Sequence, residues 1–169
     1  MPKMLSVAAL AVAFTVPVGA AAATTPPPYQ PLADMLGVPA LIGSIGPKDK
    51  TQLQLKFAKD GQTEADWTKL LTIDIAEVPA DETADSTYSI IETYKAGLAT
   101  RHVHVDTFDT SPLRPYATYF EFHVGAERDR GVIYSPRAGF VTIAQLAEKT
   151  DDTISSADVK RLKELAGLK

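Results

Sequence analysis

The stretch from Ala117 to Leu146, ATYFEFHVGAERDRGVIYSPRAGFVTIAQL, is the densest run of strand-forming sequence in this chain and most limits what it can fold into. From Tyr119 to Val124 the residues alternate, with Phe120, Phe122 and Val124 on one side and Tyr119, Glu121 and His123 on the other. A period of two marks a strand with one buried face. Gly125 to Gly131 is polar and bracketed by glycines, so it reads as a hairpin connection, and Val132, Ile133 and Tyr134 make a short return strand. Ser135 to Gly139 breaks the chain, and Phe140 to Ile143 resumes as a third strand. The tail from Ala144 to Lys149 fits a strand or a helical turn equally well, because so short a run has no decisive period.

The flanking segments read as elements that extend or cover this meander. Leu53, Leu55 and Phe57 alternate with Gln52, Gln54 and Lys56 to give a first strand, closed by the turn pair Asp60-Gly61. Thr63-Glu64-Ala65-Asp66 matches a capping box, in which a hydroxyl accepts from a first-turn amide while the acid reaches back. It predicts a short helix carrying Trp67, Leu70 and Leu71, which runs into a second strand from Leu71 to Ala76. Trp67, the only tryptophan, is expected to anchor helix to sheet. Past an acidic loop, Asp85 or Ser86 is placed to cap a helix with Tyr88, Ile91, Tyr94 and Leu98 as its apolar stripe, ending near Gly97. His102 to Asp106 alternates as a further strand, and Thr107 to Pro115 reads as a loop. Ser155-x-x-Asp158 is a second capping box, opening a terminal helix with Val159, Leu162, Leu165 and Ala166 on its apolar side. The sum is an α+β fold, an antiparallel sheet flanked by helices, with the C-terminal helix packed on the sheet.

The first 23 residues carry a different signal. Lys3 precedes an apolar stretch of 14 residues, Leu5 to Val18, and Gly19 to Ala23 supplies small residues in an A-x-A arrangement. This reads as a secretory signal peptide over 1–23, with cleavage after Ala22 or Ala23. A membrane anchor needs roughly 18 or more apolar residues, so no membrane span is expected here or later in the chain. The absence of cysteine rules out disulfides and also an acylated lipoprotein cysteine, so the expected destination is the periplasm or the exterior. Residues 24–50 hold six of the twelve prolines and read as an extended lead-in draped over a single domain at 51–169. A net charge of −4 argues against nucleic-acid binding, which requires a basic surface to neutralise phosphates.

One polar constellation is able to carry chemistry. On the strand at 102–106, His102, His104 and Asp106 share a face; on the strand at 119–124, Glu121 and His123 share the face opposite Phe120 and Phe122. If these strands pair antiparallel over a common core, three imidazoles and two carboxylates meet on the other side. Opposed side chains are then about 4.5–5.5 Å apart at Cβ, close enough to share a divalent metal. Mixed nitrogen and oxygen donors suit zinc, nickel or copper(II) better than calcium. The rival reading is a solvated polar face with no ligand. Elsewhere the chain lacks a cysteine nucleophile and a phosphate-cradling glycine loop, and Gly43-Ser44-Ile45-Gly46 lacks the spacing of a nucleophile elbow. Arg128, Arg130 and Arg137 read as solvation of a hairpin tip, or as a contact for an anionic partner.

The order of elements, with Thr63-Glu64-Ala65-Asp66-Trp67 leading into the strand at Leu71 to Ile75, is similar to small exported domains of the PsbP-like kind. The resemblance spans roughly residues 50 to 167 and lies in pattern, not in a diagnostic motif. It implies an α/β/α sandwich around an antiparallel sheet, and a binding or accessory role without catalytic machinery. The expectation is therefore a non-enzymatic exported accessory or protein-binding domain that needs no cofactor. The alternative is a divalent-metal-binding protein using His102, His104, Asp106, Glu121 and His123.

Overall fold

The computed structural model describes residues 29–45, 52–101, 103–149 and 155–169. The expected signal peptide at 1–23 lies outside them. In chain order the elements are α1 (Gln30–Met35), β1 (Ala40–Ile45), β2 (Gln52–Ala58), β3 (Lys69–Glu77), a 3-10 turn at Ala80–Glu82, α2 (Thr83–Thr100), β4 (His104–Thr110), β5 (Thr118–Val124), β6 (Glu127–Arg137), β7 (Phe140–Lys149) and α3 (Ser156–Leu165). All seven strands join one antiparallel sheet in the order β1-β2-β3-β7-β6-β5-β4. Two meanders, β1-β2-β3 and β4-β5-β6-β7, are thus sewn together where β3 meets β7, from Lys69 opposite Glu148 to Glu77 opposite Phe140. Those two strands lie mid-sheet and are buried on both faces, which is why KLLTIDIAE and FVTIAQLAE are apolar on both sides of the pleat.

Helices cover both faces, which makes this the α+β fold the pattern predicts. On one face, Tyr29, Leu32 and Leu36 from the α1 region and Leu162 of α3 pack over Leu71, Ile73, Tyr119, Val132 and Leu146. On the other, Ile90, Ile91, Tyr94 and Leu98 of α2 pack over Phe120, Phe122, Ile133 and Ile143. Trp67 closes a third, smaller cluster with Ala58, Leu70 and Ala147, with the Lys149 ammonium 3.8 Å from its ring centre.

Several local expectations change. The domain does not begin at 51: α1 and β1 lie within the stretch read as a lead-in, and β1 pairs with β2. Proline there marks a helix start, since Pro31 sits in the first turn of α1, where an amide proton has no partner to lose. Thr63 to Asp66 forms a turn and no helix; the Asp66 carboxylate accepts from both the Thr63 amide and hydroxyl, so the box closes on itself. Gly97 does not end α2, which runs to Thr100 on a stripe of Thr83, Thr87, Ile90, Ile91, Tyr94 and Leu98. Tyr88 faces outward against Tyr116. Ser155 makes no side-chain cap on α3, and Asp158 turns to Lys69 on the sheet, at 2.6 Å.

The largest change lies in the central meander. The turn is only Gly125-Ala126, with Gly125 in the left-handed region (φ 62°), and Glu127 to Arg130 is strand. Asp129 and Arg130 are therefore core residues, 2% and 0% exposed, and of the run 128–130 only Arg128 is exposed. Gly131 marks a close approach of chains: a Cβ there would run into the Ala144 carbonyl and the Phe120 ring. The tail of β7 stays extended through Lys149.

Candidate metal centre

β4 is an edge strand, and its pairing with β5 sets the site. His104 lies opposite His123 and Val105 opposite Phe122; Asp106 is then skipped, and Thr107 lies opposite Glu121. Such a bulge places two residues of one strand against one of the other. Its cause is legible in the side chains. Strict alternation would leave Phe108 on the histidine side; the extra residue reverses the parity, so Phe108 lies opposite Phe120 and joins the α2 core, ring centres 6.5 Å apart. Asp106 stays with the histidines. The strand therefore runs seven residues, through ground that reads in sequence as a loop.

Asp106 bridges the two imidazoles. Its Oδ2 lies 3.0 Å from His123 Nδ1 and its Oδ1 3.4 Å from His104 Nε2, with the ring centres 4.6 Å apart. One donor atom from each residue falls within 4.8 Å of the others. Zinc–ligand bonds of about 2.0–2.2 Å place tetrahedral donors about 3.3–3.5 Å apart, so small side-chain rotations close this trio on an ion. The side chains are accessible, His104 69% exposed and His123 36%. Three protein donors leave at least one coordination position to solvent or a ligand.

The expected set of five ligands is thus brought together only in part. His104, Asp106 and His123 converge. Glu121 shares their face but lies one pair further along, opposite Thr107 and Arg130, where its Oε2 accepts from the Tyr119 hydroxyl at 3.1 Å. His102 lies outside the described residues.

Two polar networks went unread in the sequence because they sit on strands whose bounds it did not give. On the histidine face, Arg130 Nη2 donates to Glu148 Oε2 at 2.9 Å, and Glu148 also meets Lys69 at 3.5 Å. Lys69 passes on to Asp158 of α3, while Arg130 Nε and Nη1 have no partner among the described residues. On the opposite face the Tyr94 hydroxyl donates to Gln145 at 2.8 Å, and Gln145 donates to Asp129 at 2.7 Å. Burial, with the neighbouring Glu127, pushes the Asp129 carboxyl up to about 7; burial alone lifts Asp74, which accepts from Gln54, to about 6. These two acids do not form a catalytic pair. Asp74 lies opposite Ile143 on one flank of β7 and Asp129 opposite Ala147 on the other, about 14 Å apart along the strand at roughly 3.4 Å per residue.

Comparison with protein-family models and with curated proteins finds no match to this chain. Any functional reading therefore rests on the site itself.

Proposed function

We propose that the protein is a non-enzymatic exported accessory domain that binds a divalent transition metal through His104, Asp106 and His123. The observation that carries this reading is the bulge at Asp106, which leaves one carboxylate between two cross-strand imidazoles on an accessible face. Two nitrogens and one oxygen suit zinc, copper(II) or nickel, and exclude the all-oxygen shell that calcium favours. Export is proposed from the leader-like sequence of residues 1–23. The PsbP-like resemblance accords with a binding role, by analogy of pattern alone. No converging nucleophile and base are found among the described residues, so turnover forms no part of the proposal.

Untagged protein titrated with zinc, copper(II) and nickel by calorimetry is expected to bind one ion per chain. His104→Ala/His123→Ala should abolish that heat, and Glu121→Gln should leave it within about twofold, since Glu121 turns to Tyr119. Equal heats in wild type and the double variant would remove the site.

A further inference from the structure

Resting on that metal reading, we propose that the ion carries a small oxyanion, a phosphate or carboxylate group, clamped against the Arg128 guanidinium. Register supplies the geometry. Arg128 of β6 lies directly opposite His123 of β5, which lies directly opposite His104 of β4, so the three side chains form one row across neighbouring strands. Opposed Cβ atoms in such a row stand about 5 Å apart, and an arginine side chain is long enough to reach over the next strand. Arg128 is exposed, and it forms no ion pair or side-chain hydrogen bond among the described residues.

Charge points the same way. A divalent ion with two neutral imidazoles and one carboxylate keeps a net charge of about +1, which an anion in the open position neutralises. The nearest acid in register is already engaged. Glu148, the acid opposite Arg128 on β7, is already shared between Lys69 and the fully buried Arg130, whose Nε and Nη1 lack partners. Glu148 is thus engaged by two cations, one of which, Lys69, also pairs with Asp158, and Arg128 is left for an incoming group. A planar guanidinium fork matches two oxygens of a carboxylate or phosphate, and that selects an oxyanion over a halide.

The test uses the full chain loaded with cobalt(II), an optical stand-in for zinc, in an anion-poor buffer. Inorganic phosphate and acetate are titrated separately, with chloride at matched ionic strength as the control. The expected result is a saturable change in the visible cobalt bands with phosphate, acetate or both, and none with chloride. The arm that saturates at lower concentration names the preferred group. Arg128→Gln should weaken that anion about tenfold or more while cobalt affinity stays within twofold, and Arg128→Lys should recover part of the loss. Anion affinity unchanged in Arg128→Gln, or a response shared by chloride, would overturn the anion site and leave the metal site standing. Absence of stoichiometric cobalt binding before any anion is added would overturn both.

Discussion

Asp129 shows how one residue ties burial to solution behaviour. It stands on β6, 2% exposed, with Gln145 donating to it and Tyr94 behind that amide. Its folded carboxyl titrates at about 7, against an ordinary 3.8, because burial disfavours the charged form and Glu127 adds repulsion. Between those values the native state holds a proton that the unfolded chain has released, so stability falls as pH rises from about 4 through 7. Asp74, lifted to about 6, acts in the same direction over a narrower window. Asp129→Asn keeps an oxygen for Gln145 and has no proton to lose. Thermal midpoints at pH 5 and pH 8 should drop less in this variant than in wild type; an equal drop would show that Asp129 is not the group responsible. Alternation alone does not reveal this residue, because Glu127-Arg128-Asp129-Arg130 has the composition of a surface loop. It is buried because Gly125-Ala126 turns the chain at once and Gly131 lets β6 lie close to Phe120 and β7.

Among the elements, α1 and β1 show how far local chemistry misleads. Proline and glycine across 24–50 suggest an extended lead-in, yet Tyr29, Leu32, Leu36 and Val38 are each 4% exposed or less in the main core. Burying four large side chains at about 1.5–3 kcal/mol each yields a gross 6–12 kcal/mol, comparable to the net stability of an ordinary domain. β1 also covers the edge of β2, whose amides and carbonyls would otherwise stand open to other chains. A chain starting at residue 51 is therefore expected to lose cooperative unfolding or to aggregate, as read by calorimetry and size exclusion. A truncated chain that melts cooperatively at the full-length temperature would contradict this. β4 teaches the converse. His104 and Asp106 share a face as the sequence pattern expects, and the expected pairing with β5 is observed. The bulge that selects Asp106 and parts it from Glu121 arises from Phe108 seeking Phe120, an attraction across strands that no local period contains.

At the scale of the whole molecule, the fold does without covalent cross-links. With no cysteine, no disulfide is available, and stability rests on the sheet and its helices. If residues 1–23 are a leader, protein recovered from native cells should start at residue 23 or 24 and appear in the soluble exported fraction. N-terminal sequencing that finds Met1 or Pro2 there would end the export proposal. Sequence by itself determined the α+β class, most of the strands, the stripe of α2, the terminal helix and the two histidine strands, because these follow from periods of two and 3.6 along one chain. Tertiary structure alone decided that β3 joins β7, that β1 belongs to the sheet, that Arg130 and Asp129 lie inside, and that His104, Asp106 and His123 converge while Glu121 turns to Tyr119. Each of those outcomes depends on which surfaces exclude water together, and that is a property of pairs of segments far apart in the chain.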